Sequence, residues 1–178
     1  LVRIEFGADG SISRVRTFHV EHGLAESDVS TLARDRAGNL WVGSTGAGVV
    51  KIARNGFTSF SLADGIQGPY VRALIEDRRG FVHALAATPG SDGLFLNHFD
   101  GQRFVPTRIN LAARYVGWGS AQLILESRQG DWWVATGAGL ERYRGTGDAS
   151  ADLARPPARV YTTRTGLRND SIFRMFED

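Results

Sequence analysis

The residue types that could do chemistry are few, and their spacing does not assemble them. There are no cysteines, which removes disulfides, thiolate nucleophiles and Cys-based zinc sites. Of the four histidines, His19 and His22 stand close together while His83 and His98 lie elsewhere, so a metal ion would need ligands converging from separate strands. Neither a metal site nor any other cofactor is expected. No Gly-x-Ser-x-Gly elbow presents a nucleophile. The strings Gly43-Ser-Thr-Gly-Ala-Gly48 and Thr136-Gly-Ala-Gly139 lack the Lys-Ser/Thr that completes a phosphate cradle. The carboxylate pairs Glu76-Asp77 and Glu177-Asp178 recur at one position of a repeat, which points to turn chemistry rather than to an acid and base. No catalytic residue follows from the sequence, and no enzymatic activity is expected of this segment.

What remains is recognition, which needs a rigid scaffold. The 178 residues are 42% hydrophobic and 22% charged, with 10 Phe, 4 Trp and 4 Tyr, enough apolar material for one folded domain and too much for a disordered chain. Lys plus Arg number 21 against 19 Asp plus Glu, a net charge of +2, and the basic residues are scattered, so no nucleic-acid partner is expected. No run approaches the roughly 20 apolar residues of a membrane helix, and Leu1 to Gly7 has no signal-peptide pattern.

The scaffold shows itself as an internal period. Gly23 to Ile66 forms one unit, and in the next Asp77 and Gly80 follow Asp35 and Gly38 by 42 positions. In a third, Gly130, Trp133 and Gly139 stand where the first has Gly38, Trp41 and Gly48, and Gly93 is the second unit's glycine. Each unit divides into four short strands separated by turns. The turn Asp35-Arg-Ala-Gly38 has Asp first and Gly last, the preferred type I pattern. Strands apolar at successive positions, such as Leu40-Trp41-Val42, must be covered on both faces. Four-stranded units of about 40–45 residues arranged radially meet that need. The expected fold is therefore all-β, a β-propeller of four-stranded antiparallel blades, present as a partial ring. The boundaries are 1–22 for the end of one blade, then blades at 23–64, 65–110 and 111–165, the last with an insertion at 145–157. Residues 166–178 would open a further blade. Trp41 and Trp133 are expected in the core between blades.

Gly23-Leu24, Val29, Asp35 to Gly38, Leu40-Trp41-Val42-Gly43, Gly48-Val49 and Phe57 to Phe60 together resemble the two-component regulator propeller repeat. That unit builds the periplasmic sensor region of hybrid histidine kinases and related bacterial regulators. His83 replaces the family's Trp in the second unit, and Ser127 replaces the turn Asp in the third. The resemblance implies a periplasmic or extracytoplasmic, non-catalytic sensing module, with membrane and output domains outside this segment. About three full blades do not close a ring of 4 to 8, so the segment is expected to be a fragment of a longer chain, or to self-associate through blade edges or as a homodimer.

Recognition is expected from loops that depart from the repeat. Connections from each outer strand to the next inner strand gather at one mouth of a propeller, beside the loops between second and third strands. Here they carry Tyr70, Arg114, Tyr115, Trp118 and Arg168. Their stacking faces and forked donors suit a small molecule, a glycan or a peptide. The competing functions are a protein-interaction scaffold, with a partner footprint on the rim, and a propeller-fold lyase, which would need His and Glu to converge with a metal.

Overall fold

The computed structural model describes residues 1–24, 28–53, 56–88, 93–112 and 123–178. It holds a leading hairpin, β1 (Val2–Phe6) with β2 (Ile12–Thr17), followed by three four-stranded antiparallel sheets. The first blade is β3 (Val29–Arg34), β4 (Leu40–Ser44), β5 (Val49–Ala53) and β6 (Gly56–Phe60). The second is β7 (Tyr70–Glu76), β8 (Val82–Ala87), β9 (Leu94–Phe99) and β10 (Phe104–Arg108). The third is β11 (Ile124–Glu126), β12 (Trp132–Thr136), β13 (Gly139–Tyr143) and β14 (Arg159–Tyr161). Strands follow chain order within each sheet, and the arrangement is a partial β-propeller.

The core lies between blades because each sheet is apolar on both faces. Trp41, Val49 and Phe60 of the first blade pack against Val71, Leu74, Val82 and Phe104 of the second. Leu85, Leu94 and Leu96 of the second pack against Ile124, Trp132 and Val134 of the third. Trp41, Phe60, Phe99 and Phe104 meet mostly edge to face, with centroids 5.1–6.2 Å apart, the arrangement favoured by ring quadrupoles. The leading hairpin joins the first blade through Phe18, Leu1, Val42 and Val50.

Between blades the chain takes one recurring path. A 3₁₀ turn at Val20–His22, Leu62–Asp64 or Thr163–Thr165 ends in a left-handed glycine, Gly23, Gly65 or Gly166. Gly48 (φ 84°) and Gly139 (φ 131°) lie against the carbonyls of Phe60 and Tyr161 on their blades' outer strands, where any side chain would collide. The inserted segment 145–157 forms a short helix, α1 (Ala149–Leu153), whose Ala149 and Leu153 join the core between the second and third blades.

Three expectations need correction. Trp133 is only half-buried, because it faces the segment at 172–178 and stacks on Tyr161 at 5.6 Å. Its neighbour Trp132, 2% exposed, is the core residue. Gly93 does not occupy the Gly48 position: β8 and β9 run further before turning, and the His83–His98 and Trp41–Lys51 pairings put Phe95 there. Residues 166–178 carry no strand. Ile172 donates to the Thr136 carbonyl at 3.1 Å and packs with Met175 on the third blade, but no described strand lies beside them to form a ladder.

Candidate functional site

A cleft of about 210 Å³ opens between the inner strands of the first two blades, lined by Asp28, Val29, Ser30, Thr45, Tyr70, Val71 and Arg72. Thr45 follows β4 and Tyr70 begins β7, so the cleft sits where connections and second-to-third-strand loops converge. Thr45 donates through its hydroxyl to the Asp28 carboxylate at 2.7 Å and through its N–H to the Asp28 carbonyl at 3.2 Å. Tyr70 is 36% exposed.

Tyr70 is positioned from behind by a buried amide. Asn97, fully buried on β9, accepts from the Gln67 N–H at 2.7 Å and donates to the carbonyls of Gln67 and Ala84 at 3.2 and 3.1 Å. The third blade repeats the device. Glu141 on β13, also fully buried, accepts from the Ala112 N–H at 3.1 Å and from the Tyr143 hydroxyl at 2.6 Å. Burial and the Glu141 charge push the Tyr143 hydroxyl well above its ordinary pKa. The strand pairings put Val50, Asn97 and Glu141 at one position of the blade. Each polar residue anchors the connection leading into its own blade. The signal was readable: a charge and an amide stand where the first repeat has Val50.

Of the sequence candidates, Tyr70 lies in the cleft. Arg168 is exposed on the connection after Gly166, and nothing among the described residues joins it to Tyr70. Arg114, Tyr115 and Trp118 lie outside the described residues. The flank at Ala112 is held by Glu141, and Asn110 accepts from the Tyr143 hydroxyl at 3.1 Å.

Opposite the mouth, the first two blades close their turns on a carboxylate. Asp35 accepts from the Asn39 N–H at 2.8 Å and from the Trp41 Nε1–H at 2.8 Å. Burial raises its pKa, but these hydrogen bonds and the Lys51 charge outweigh burial and hold the group below the ordinary carboxylate range. Asp77 does the same with the N–H groups of Arg79 and Phe81 and with His83 Nε2 at 2.9 Å. His83 thus offers its Nε2 where the first blade uses an indole. Burial depresses the His83 pKa, opposed by Asp77, and its buried Nδ1 has no partner. In the third blade, Ser127 cannot reach so far. Its hydroxyl takes the Asp131 N–H at 3.2 Å, while Asp131 pairs with Arg142 at 2.7 Å.

Glutamates clasp one blade to the next. Glu76 accepts from the Arg36 N–H at 3.2 Å, Glu126 from the Arg78 N–H at 2.8 Å and Glu177 from the Arg128 N–H at 2.9 Å. Arg36 and Arg78 also donate their guanidinium groups to the carbonyls of Arg78 and Arg128. The recurrence of Glu-Asp is therefore half turn chemistry and half inter-blade contact. No group of three or more His, Asp or Glu among the described residues could hold a metal ion.

Residues 23–46 match the two component regulator propeller family. Three solved structures from B. thetaiotaomicron share the fold of this chain. Two are of BT4673, titled as the extracellular domain of a one component or a hybrid two component system. They are 18% and 17% identical, cover 97% and 93% of the chain, and have TM-scores of 0.66 and 0.62. The third, the extracellular domain of the hybrid two component system BT3049, is 18% identical over 75% of the chain, with a TM-score of 0.54. The chain spans only 25%, 21% and 18% of those three. No curated protein matches it.

Proposed function

We propose that the chain is a non-catalytic recognition segment of an extracytoplasmic sensor in a two-component regulator. The observation that carries this reading is the mouth cleft, lined by Tyr70, Thr45 and Asp28, with the connection at Gln67 anchored by buried Asn97. A rigid stack of blades presenting irregular, anchored loops is how folds of this kind build recognition. The opposite ends of the blades carry the Asp35 and Asp77 turns and the glutamate clasps. Binding at the mouth would bias blade packing and so the state of an attached output domain. An extracytoplasmic setting is supported by the likeness to extracellular domains.

The test is a thermal-shift screen of the 178-residue chain against small molecules, glycans and peptides. A ligand that raises Tm, with the rise abolished in Tyr70→Ala or Arg114→Ala, supports the reading. Ligands whose effect survives both substitutions would overturn it. A full-length partner that binds elsewhere on the rim, with no small ligand at the mouth, would make the module an interaction scaffold.

A further inference from the structure

Ser30 and Arg72 sit at the same place in successive blades. Each is the extra residue of a β-bulge, between Val29 and Thr31 in β3 and between Val71 and Ala73 in β7. Such bulges re-aim a side chain. In the first blade the bulge does structural work, because the Ser30 hydroxyl donates to the Val71 carbonyl of the next blade at 2.6 Å. Arg72 makes no hydrogen bond and no ion pair among the described residues. Its Nε–H is buried and has no acceptor, an arrangement that is costly unless something supplies one. Arg72 lines the mouth cleft together with Tyr70 and Asp28.

We infer that this cleft takes a small hydroxycarboxylate, held through its carboxylate by Arg72. The inference rests on reading the mouth as a recognition face. A planar carboxylate matches the two-donor fork of a guanidinium. Asp28 already accepts from Thr45 and has further lone pairs for a ligand hydroxyl. The same carboxylate repels a second anionic group, which favours one carboxylate over a polyanion. Tyr70 offers a half-open aromatic wall for the carbon skeleton. A volume of about 210 Å³ limits the ligand to a few heavy atoms beyond the carboxylate. Because Arg72 makes no hydrogen bond and no ion pair among the described residues, its loss should leave folding intact.

Glycolate and lactate are the probes, titrated into the ¹⁵N-labelled 178-residue chain and followed by amide shifts, with glycerol and sulfate as comparators. Saturable shifts at Thr45 and at Tyr70 to Ala73 are expected, with a Kd at least 10-fold weaker in Arg72→Met and several-fold weaker in Asp28→Asn. The Tm of Arg72→Met without ligand should match that of the parent chain. Equal glycolate affinity in Arg72→Met would overturn the assignment. Tighter binding of sulfate than of glycolate would also overturn it, in favour of a simple anion site. If glycerol or another neutral ligand perturbs the mouth while carboxylates do not, the carboxylate inference fails and the recognition reading stands. If no probe and no screened ligand perturbs the mouth, both fail together.

Discussion

Removing the turn carboxylate Asp35 tests whether the repeat's Asp and Trp act as one unit. Trp41 is 1% exposed and its Nε1–H has Asp35 as acceptor at 2.8 Å. In Asp35→Ala that donor stays buried without a partner, a loss of about 1–3 kcal/mol. The Asn39 N–H also loses its acceptor at 2.8 Å, but it is partly exposed and water replaces much of that bond, leaving about 0.5–1 kcal/mol. The expected total is about 1.5–4 kcal/mol, or roughly 3–16 °C in Tm for a chain of this size. In a Trp41→Phe background the indole donor is gone, so Asp35→Ala should cost only the turn share. The four-member cycle, read by urea unfolding with far-ultraviolet circular dichroism, should give a coupling of about 1–3 kcal/mol. If Asp35→Ala costs the same in both backgrounds to within about 0.5 kcal/mol, the indole hydrogen bond is not what the turn Asp is for.

Three further outcomes follow from the same geometry. Burial sets the folded pKa of His83 below 6.5, so the unfolded chain binds more protons just below that pH and stability should fall as pH drops from about 7 towards 5. The groups facing it are Asp77, His98 and Arg79. Asp77 has its own pKa lowered and contributes its loss only further down, below the ordinary carboxylate range. His83→Gln should flatten the profile between pH 5 and 7, and an unchanged slope in urea unfolding would refute the assignment. Gly48→Ala should destabilise by about 2 kcal/mol or more, because a left-handed backbone (φ 84°) meets the Phe60 carbonyl. Gly101→Ala, with φ 107° and open space around it, should cost only the backbone strain, about 1–2 kcal/mol, and so less than Gly48→Ala; equal midpoints for the two variants would refute the packing argument. Glu126→Ala should cost about 0.5–1.5 kcal/mol by freeing the Arg78 N–H, and Glu126→Gln, which keeps an acceptor, should restore most of it in the same unfolding assay.

The sequence by itself determined the repeat, the four strands per unit and the turn at each Asp-x-x-Gly, because these depend on local chemistry that recurs at a fixed spacing. The glycine strings read as hairpins for the same reason, and Gly48 and Gly139 stand in the left-handed region those hairpins require. Of the loop residues singled out by their departure from the repeat, Tyr70 lines the cleft, while Arg114, Tyr115 and Trp118 lie outside the described residues. The sequence could not say which of two adjacent tryptophans enters the core. Trp132 and Trp133 point to opposite faces of one strand, and burial depends on which face another blade covers.

Tertiary structure decided the rest, because it concerns contacts between blades that sequence spacing does not encode. The Glu of Glu76-Asp77 serves the preceding blade and the Asp its own turn, a division visible only once two sheets face each other. Asn97 and Glu141 became anchors only when the pairings aligned them with Val50 and the connections folded back onto them. Arg72 looked like one more scattered cation until the bulge placed it in a cleft with nothing to bind.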